Sequence, residues 1–202
     1  MQKGGFILKN GLVPTKVNGN TYKFPKTMMN AVKTSADAGI HANCTWIMAY
    51  PGEELKHLKT SVAFILWQQQ FWTGGHIPGS PDYERLKDGV NRKMFTATAY
   101  PGTEMWKVVR KDLKKHFDIE YDSYGDPICD ENFHRYVLEL DDATKILNGK
   151  DGEPVNFGGM PMHQFLQVRE YIDNDEIEKI LEMSFLYILI YRLNLKIYYG
   201  DK

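Results

Sequence analysis

The phrase Ala-Tyr-Pro-Gly occurs twice, as Ala49-Tyr50-Pro51-Gly52 and Ala99-Tyr100-Pro101-Gly102, and the copies are 50 positions apart. Each is preceded by a short apolar run rich in Thr and aromatic residues, 44–50 and 94–100, which suits a strand buried on both faces. Pro and Gly then end the pairing and turn the chain. After the first turn Leu55, Leu58, Val62 and Ile65/Leu66 recur at helical spacing; after the second, Met105, Val108/Val109 and Leu113 do the same. Both copies therefore read strand, Pro-Gly turn, helix. Repeated units of this length imply parallel strands joined by right-handed crossovers, with both turns on the face where the strands end. A second explanation of the repeat is similar local geometry alone, because Pro-Gly punctuates many strand-to-helix junctions.

A chain of 202 residues suffices for one substantial core or for part of a larger domain. A net charge of -1 gives no footing for nucleic acid or an anionic membrane, and the Lys-rich stretch 107–115 reads as the solvated face of a helix. Cys44 and Cys129 are the only cysteines and stand far apart, so no thiolate motif for zinc or an iron–sulfur cluster exists within the chain. That usage fits a reducing, cytoplasmic setting. Residues 1–12 carry no secretory signal, and the apolar run 185–191 falls far short of the ~20 residues that a membrane span requires.

Taken in order, residues 1–26 are rich in Gly with little periodicity and read as loop. Thr27 caps a helix over 27–38 that stops at Gly39, the second half of a strand–helix–strand crossover whose first strand is not visible. The helix after the first turn ends near Phe71-Trp72, where Trp67, Phe71 and Trp72 read as core packing. Residues 74–81 form a Gly/Pro loop carrying His76, and a short helix over 83–92 leads to the second strand. Beyond 117 the pattern weakens. A turn is expected at Tyr124-Gly125-Asp126-Pro127, a strand or the start of a helix over 134–140, a Gly/Pro-rich loop over 148–161, and helices over 162–172 and 175–183. The tail, 184–202, has an Ile, Leu, Tyr and Lys bias of its own and reads either as a buried terminal helix or as an atypical end.

Self-contained chemistry leaves no spacing signature: G-x-S-x-G, G-x-x-x-x-G-K-[ST] and H-E-x-x-H are all absent. Glu53 and His57 stand one helical turn apart, which suits an exposed pair better than a metal site. Glu53 and Glu104 each follow a Pro-Gly turn. As a pair they offer acid/base chemistry or a cationic ligand site, and singly they are charges at helix N-termini, the reading preferred here.

The segment from Ala38-Gly39-Ile40 through Asn43-Cys44-Thr45-Trp46-Ile47-Met48-Ala49-Tyr50-Pro51-Gly52-Glu53, followed by Leu58, Thr60 and Phe64, resembles the fifth-strand phrase of the radical SAM superfamily. Thr98-Ala99-Tyr100-Pro101-Gly102-Thr103-Glu104 is similar to the sixth-strand phrase of its cobalamin-domain branch, and Met1-Gln2-Lys3-Gly4 to the residues before the fourth helix there. The resemblance covers residues 1–117. It implies an α/β chain holding the C-terminal portion of a partial (β/α)6 TIM-like barrel, in which a [4Fe–4S] cluster cleaves S-adenosylmethionine to a 5′-deoxyadenosyl radical. It further implies that Ile47, Ala49 and Tyr50 pack against the adenine, that Pro51, Gly52 and Glu53 shape the turn, and that Ala99, Tyr100, Pro101 and Gly102 close the far side of the pocket.

Two departures accompany the resemblance. Ala49 stands where the family usually has Gly, and the Cys-x3-Cys-x2-Cys cluster motif is absent. The expected division is a partial barrel (1–117) by resemblance, then a mixed helical extension (118–183) and an apolar tail (184–202), with the cluster motif absent and no residue named as a catalytic acid or base. Expected partners are the missing N-terminal half of the barrel or a complementing chain, and a small-molecule substrate, with cobalamin as a further cofactor of the parent enzyme. The alternative is a stand-alone α/β module that binds a small ligand or partner without redox chemistry.

Overall fold

In the computed structural model, which describes residues 11–42, 44–141 and 146–183, the chain is mixed α/β, and the first described element is a β-hairpin. Strand β1 (Leu12–Val17) pairs antiparallel with β2 (Asn20–Pro25), from Leu12 opposite Pro25 to Val17 opposite Asn20. The turn between them is Asn18-Gly19, and both residues take positive φ, 48° and 80°. Asn-Gly is the pair that a two-residue hairpin turn with two left-handed positions demands. The expectation of loop through residue 26 is thus overturned for this stretch, because that pair folds it locally. Residues 1–10 and 184–202, which hold the Met1-Gln2-Lys3-Gly4 phrase and the apolar tail, lie outside the described residues.

The described residues form two compact units that interleave in sequence: one from Cys44–Leu58 and Lys93–Phe165, the other from 11–42, Lys59–Arg92 and 166–183. The division falls inside two helices, α2 (Leu55–Thr73) and α7 (Met162–Asp173).

In the second unit, α1 (Lys26–Asp37) starts directly after Pro25 without a side-chain cap, so Thr27 is not the N-cap that its position suggests. Gly39, at φ 73°, ends the segment as expected. Phe24 meets Phe64 edge-on at 5.1 Å and Trp67 at 6.1 Å, and Trp67 stacks on Phe71 at 5.7 Å. Phe24, Phe64 and Trp67 are core packing, while Phe71 and Trp72, expected in the core as well, are half-buried, Trp72 stacked on His41 at 4.3 Å. Helix α3 (Pro81–Asp88) is capped by Ser80, whose hydroxyl accepts from Tyr83 N–H at 3.2 Å, and the loop before it leaves His76 exposed. The last described helix of the unit is the short α8 (Glu178–Glu182), in place of a full helix over 175–183. Arg92 ties it down through Asp175 at 2.6 Å and Glu178 at 2.8 Å, while Lys59 Nζ donates to the carbonyls of Leu181 and Met183.

The first unit holds both Pro-Gly turns. Strands β3 (Trp46–Met48) and β4 (Met94–Thr96) are parallel neighbours, as the repeat predicts, but each is three residues long. Trp46, Met48, Met94 and Thr96 form the buried face. The opposite face is not covered: Ile47 is 58 % exposed and Phe95, its ladder partner, is half-buried. Burial on both faces is therefore corrected to burial on one. Helix α4 (Glu104–Val108) breaks at Val109 and continues as α5 (Arg110–Phe117), which ends on a left-handed Asp118. Residues 134–140, open between strand and helix from sequence, lie largely in α6 (Glu131–Leu138), capped by Asp130 through Phe133 N–H at 2.9 Å. Met105, Trp106, Leu113, Tyr136, Leu147 and Phe157 share one apolar cluster, so the core of this unit runs through residue 117 without a break.

Candidate functional site

The two repeated phrases are neighbours but not in register. Met48 pairs with Thr96, and Ala97 N–H donates to Met48 O at 2.7 Å, so ladder partners differ by 48 positions where the phrases differ by 50. The second turn therefore begins two residues, roughly 6.6 Å, further along its strand. An even offset preserves the alternation of faces, so both strands still bury matching positions.

At the first turn Ala49 is fully buried and takes a left-handed conformation, φ 61°. Its N–H donates to Glu53 Oε2 at 2.5 Å, and the Tyr50 N–H also donates to this carboxylate. The turn closes with Glu53 N–H on Tyr50 O at 2.8 Å and with Gly52 at φ 81°, where a side chain would be strained. Burial pushes the Glu53 carboxyl above its ordinary value, and the backbone N–H groups of Ala49 and Tyr50 pull it back down.

A loop remote in sequence clamps this turn. Gly159 N–H donates to Glu53 O at 2.8 Å, and a Cβ on Gly158 would stand 3.0 Å from Ala49 Cα. Asn156 organises the loop: its Oδ1 accepts from Gly158 N–H and its Nδ2 donates to Met160 O, both at 2.8 Å.

The second turn is braced differently. Ala99 is fully buried and its carbonyl accepts from the Tyr136 hydroxyl at 2.7 Å. Burial raises the phenol well above its usual range, which keeps it protonated as a donor. Thr103 donates through Oγ1 to Tyr100 O at 2.7 Å and accepts from Trp106 N–H at 3.2 Å, linking turn and helix through one hydroxyl. Tyr100 is 44 % exposed, and Pro101 and Gly102 are exposed.

The structure thus places Ile47, Ala49, Tyr50, Pro51, Gly52, Glu53, Ala99, Tyr100, Pro101 and Gly102 in one unit, at adjacent strand ends. It does not make Glu53 and Glu104 equivalent. Glu104 is an exposed first-turn charge that pairs with Lys107 at 2.7 Å, whereas Glu53 precedes its helix and folds back onto the strand end. His57 turns its Nδ1 to the Glu54 N–H at 3.1 Å, as part of the helix start. Tyr136, Asn156 and the Gly158-Gly159 pair were missed from sequence. The signal was present only as an Asn-x-Gly-Gly pattern of the kind that forms side-chain-closed turns.

An iron–sulfur cluster needs a set of Cys thiolates. Cys44 is half-buried, Cys129 is exposed, and no group of three His, Cys, Asp or Glu that could hold a metal occurs among the described residues. The residues of this chain do not fit such a cluster. Among the described residues no helix is long and apolar enough to cross a membrane. No family model matches the chain, and no curated protein or solved structure matches it.

Proposed function

We propose that the chain is the C-terminal part of a radical S-adenosylmethionine barrel, and that its two Pro-Gly turns form the adenine side of the S-adenosylmethionine pocket. One observation carries the reading: two neighbouring parallel strands end in the same phrase and leave the Ile47–Phe95 face open beside a braced turn. A purine needs a flat apolar surface, and the exposed Ile47 and Tyr100 side chains supply it, while the Ala49-Tyr50 turn, its N–H groups held by Glu53, fixes the strand end beside them. The role of these residues is to bind and orient. The cluster ligands and the remaining strands belong to another part of the protein or to a complementing chain, together with any cobalamin domain, so the chain alone is expected to be catalytically incomplete.

The same turn favours a second reading, because its backbone is already engaged by Gly158 and Gly159 of the same unit. A stand-alone module would hold a small ligand or partner at this face and need no iron.

The nucleotide sequence around the reading frame separates the two. An in-frame continuation encoding Cys-x3-Cys-x2-Cys, whose longer product binds iron and S-adenosylmethionine, is the expected result. A stop and a ribosome-binding signal before Met1, with a soluble iron-free monomer as the product and no Cys-bearing chain co-purifying with it, overturns the barrel reading.

A further inference from the structure

The loop at 156–160 is the part of the site that the repeat does not anticipate, and a single side chain organises it. Asn156 bonds Gly158 N–H and Met160 O at 2.8 Å each, so one amide group closes the loop at both ends. The closed loop lies on the first strand end with no room to spare. A Cβ at Gly158 would come within 3.0 Å of Ala49 Cα and 3.2 Å of Ala49 C, and one at Gly159 within 3.1 Å of Glu53 O.

Ala49 holds a left-handed conformation that its own Cβ disfavours, and such a conformation persists only where the surroundings over-determine it. Two contacts do so here: the Glu53 carboxylate on the Ala49 N–H, and the Gly158 backbone against the Ala49 main chain. Gly159 N–H on Glu53 O fastens the loop to the same turn.

We propose that Asn156 is the positioning residue of the first strand end. Through the Gly158-Gly159 clamp it holds Ala49 and Glu53 in the conformation that presents the exposed Ile47, beside the turn, to a nucleoside. Its effect on that ligand rests on the adenine-site reading above; its effect on Ala49 does not.

Hydrogen exchange of individual amides in the full chain tests the assignment. Asn156→Ala removes both loop bonds and should speed exchange at Ala49 and Gly159 by about five- to thirtyfold, the ratio that one or two kcal/mol corresponds to. The Leu113 amide, bonded to Val109 O within the helical core of the same unit, should be unchanged. Asn156→Asp keeps the acceptor for Gly158 N–H and loses only the donor to Met160, so most of the protection should return. Exchange at Ala49 that stays at the wild-type rate in Asn156→Ala overturns the proposal. If Asn156→Ala also loses Leu113 protection and so has unfolded, Gly158→Ala carries the test, with faster Ala49 exchange expected and an unchanged rate overturning it.

Binding of 5′-deoxyadenosine is read separately, from amide shifts at Ile47 and Tyr100 in the wild type. Absence of those shifts together with deprotection in Asn156→Ala removes the adenine reading and leaves the positioning role standing.

Discussion

Ala49 is held where its own methyl group is unwelcome. A left-handed backbone costs an L-residue about 1–2 kcal/mol, and Ala49 bears this cost at φ 61° while being fully buried. Ala49→Gly should leave stability within about 1 kcal/mol, since relief of the backbone offsets the lost methyl burial and the extra freedom of the unfolded chain. Ala49→Val should cost about 2–4 kcal/mol, because a β-branched side chain is strained at positive φ and the position is fully buried, so added methyl groups overpack it. Urea denaturation of the pair reads the difference, and equal midpoints would refute the left-handed assignment. Glu53 makes a second prediction at this scale. Its carboxyl is raised in the folded protein, so its contribution to stability is fully present below the unfolded value of 4.5 and is lost as pH rises through the higher folded value. Glu53→Gln has no such titration. The wild type should therefore lose stability relative to Glu53→Gln as pH rises from 4.5 through the higher folded value, and parallel pH profiles would exclude a buried, destabilised carboxylate.

Among the elements, β3 and β4 show how two copies of one phrase acquire different supports. The first turn is braced from the loop at 156–160, and the second by the Tyr136 hydroxyl from α6. The Tyr136 ring also meets Phe117 at 4.8 Å and Trp106 at 5.6 Å, so the residue joins three elements of the unit through its ring and one strand end through its oxygen. Tyr136→Phe keeps the ring contacts and strands a buried carbonyl at Ala99. The expected loss is about 1–2 kcal/mol, measured by chemical denaturation and accompanied by faster exchange of amides beside Ala99. No loss would mean that water satisfies that carbonyl. The repeat predicted the adjacency and direction of the strands but not their bracing, since Tyr136 and Asn156 are distant in sequence from the turns they hold. The hairpin at β1 and β2 is the opposite case: its Asn18-Gly19 turn was legible locally, and the Gly-rich surroundings obscured it.

Over the whole molecule, the two compact units exchange segments along the chain, so position in sequence does not mark which unit a residue serves. The core of the first unit draws Ile119, Tyr136, Leu147, Val155 and Phe157 from beyond residue 117. A chain ending at residue 117 should therefore show no cooperative unfolding transition and should bind a hydrophobic dye, because the buried faces of α4 and α5 lose their partners. A cooperative transition in that truncation would show that the later segment is dispensable. By itself the sequence determined the two strand–turn–helix units, their parallel pairing and the core role of Trp67 in α2. Each of these is written in neighbouring residues or in composition, where periodicity and turn chemistry act within a few bonds. The tertiary structure alone decided the two-residue offset of the turns, the left-handed Ala49, the folding back of Glu53 and the clamp by Gly158 and Gly159. The clamp joins groups far apart in sequence, Gly159 on Glu53 across 106 positions and Gly158 on Ala49 across 109, and only packing brings such groups into contact.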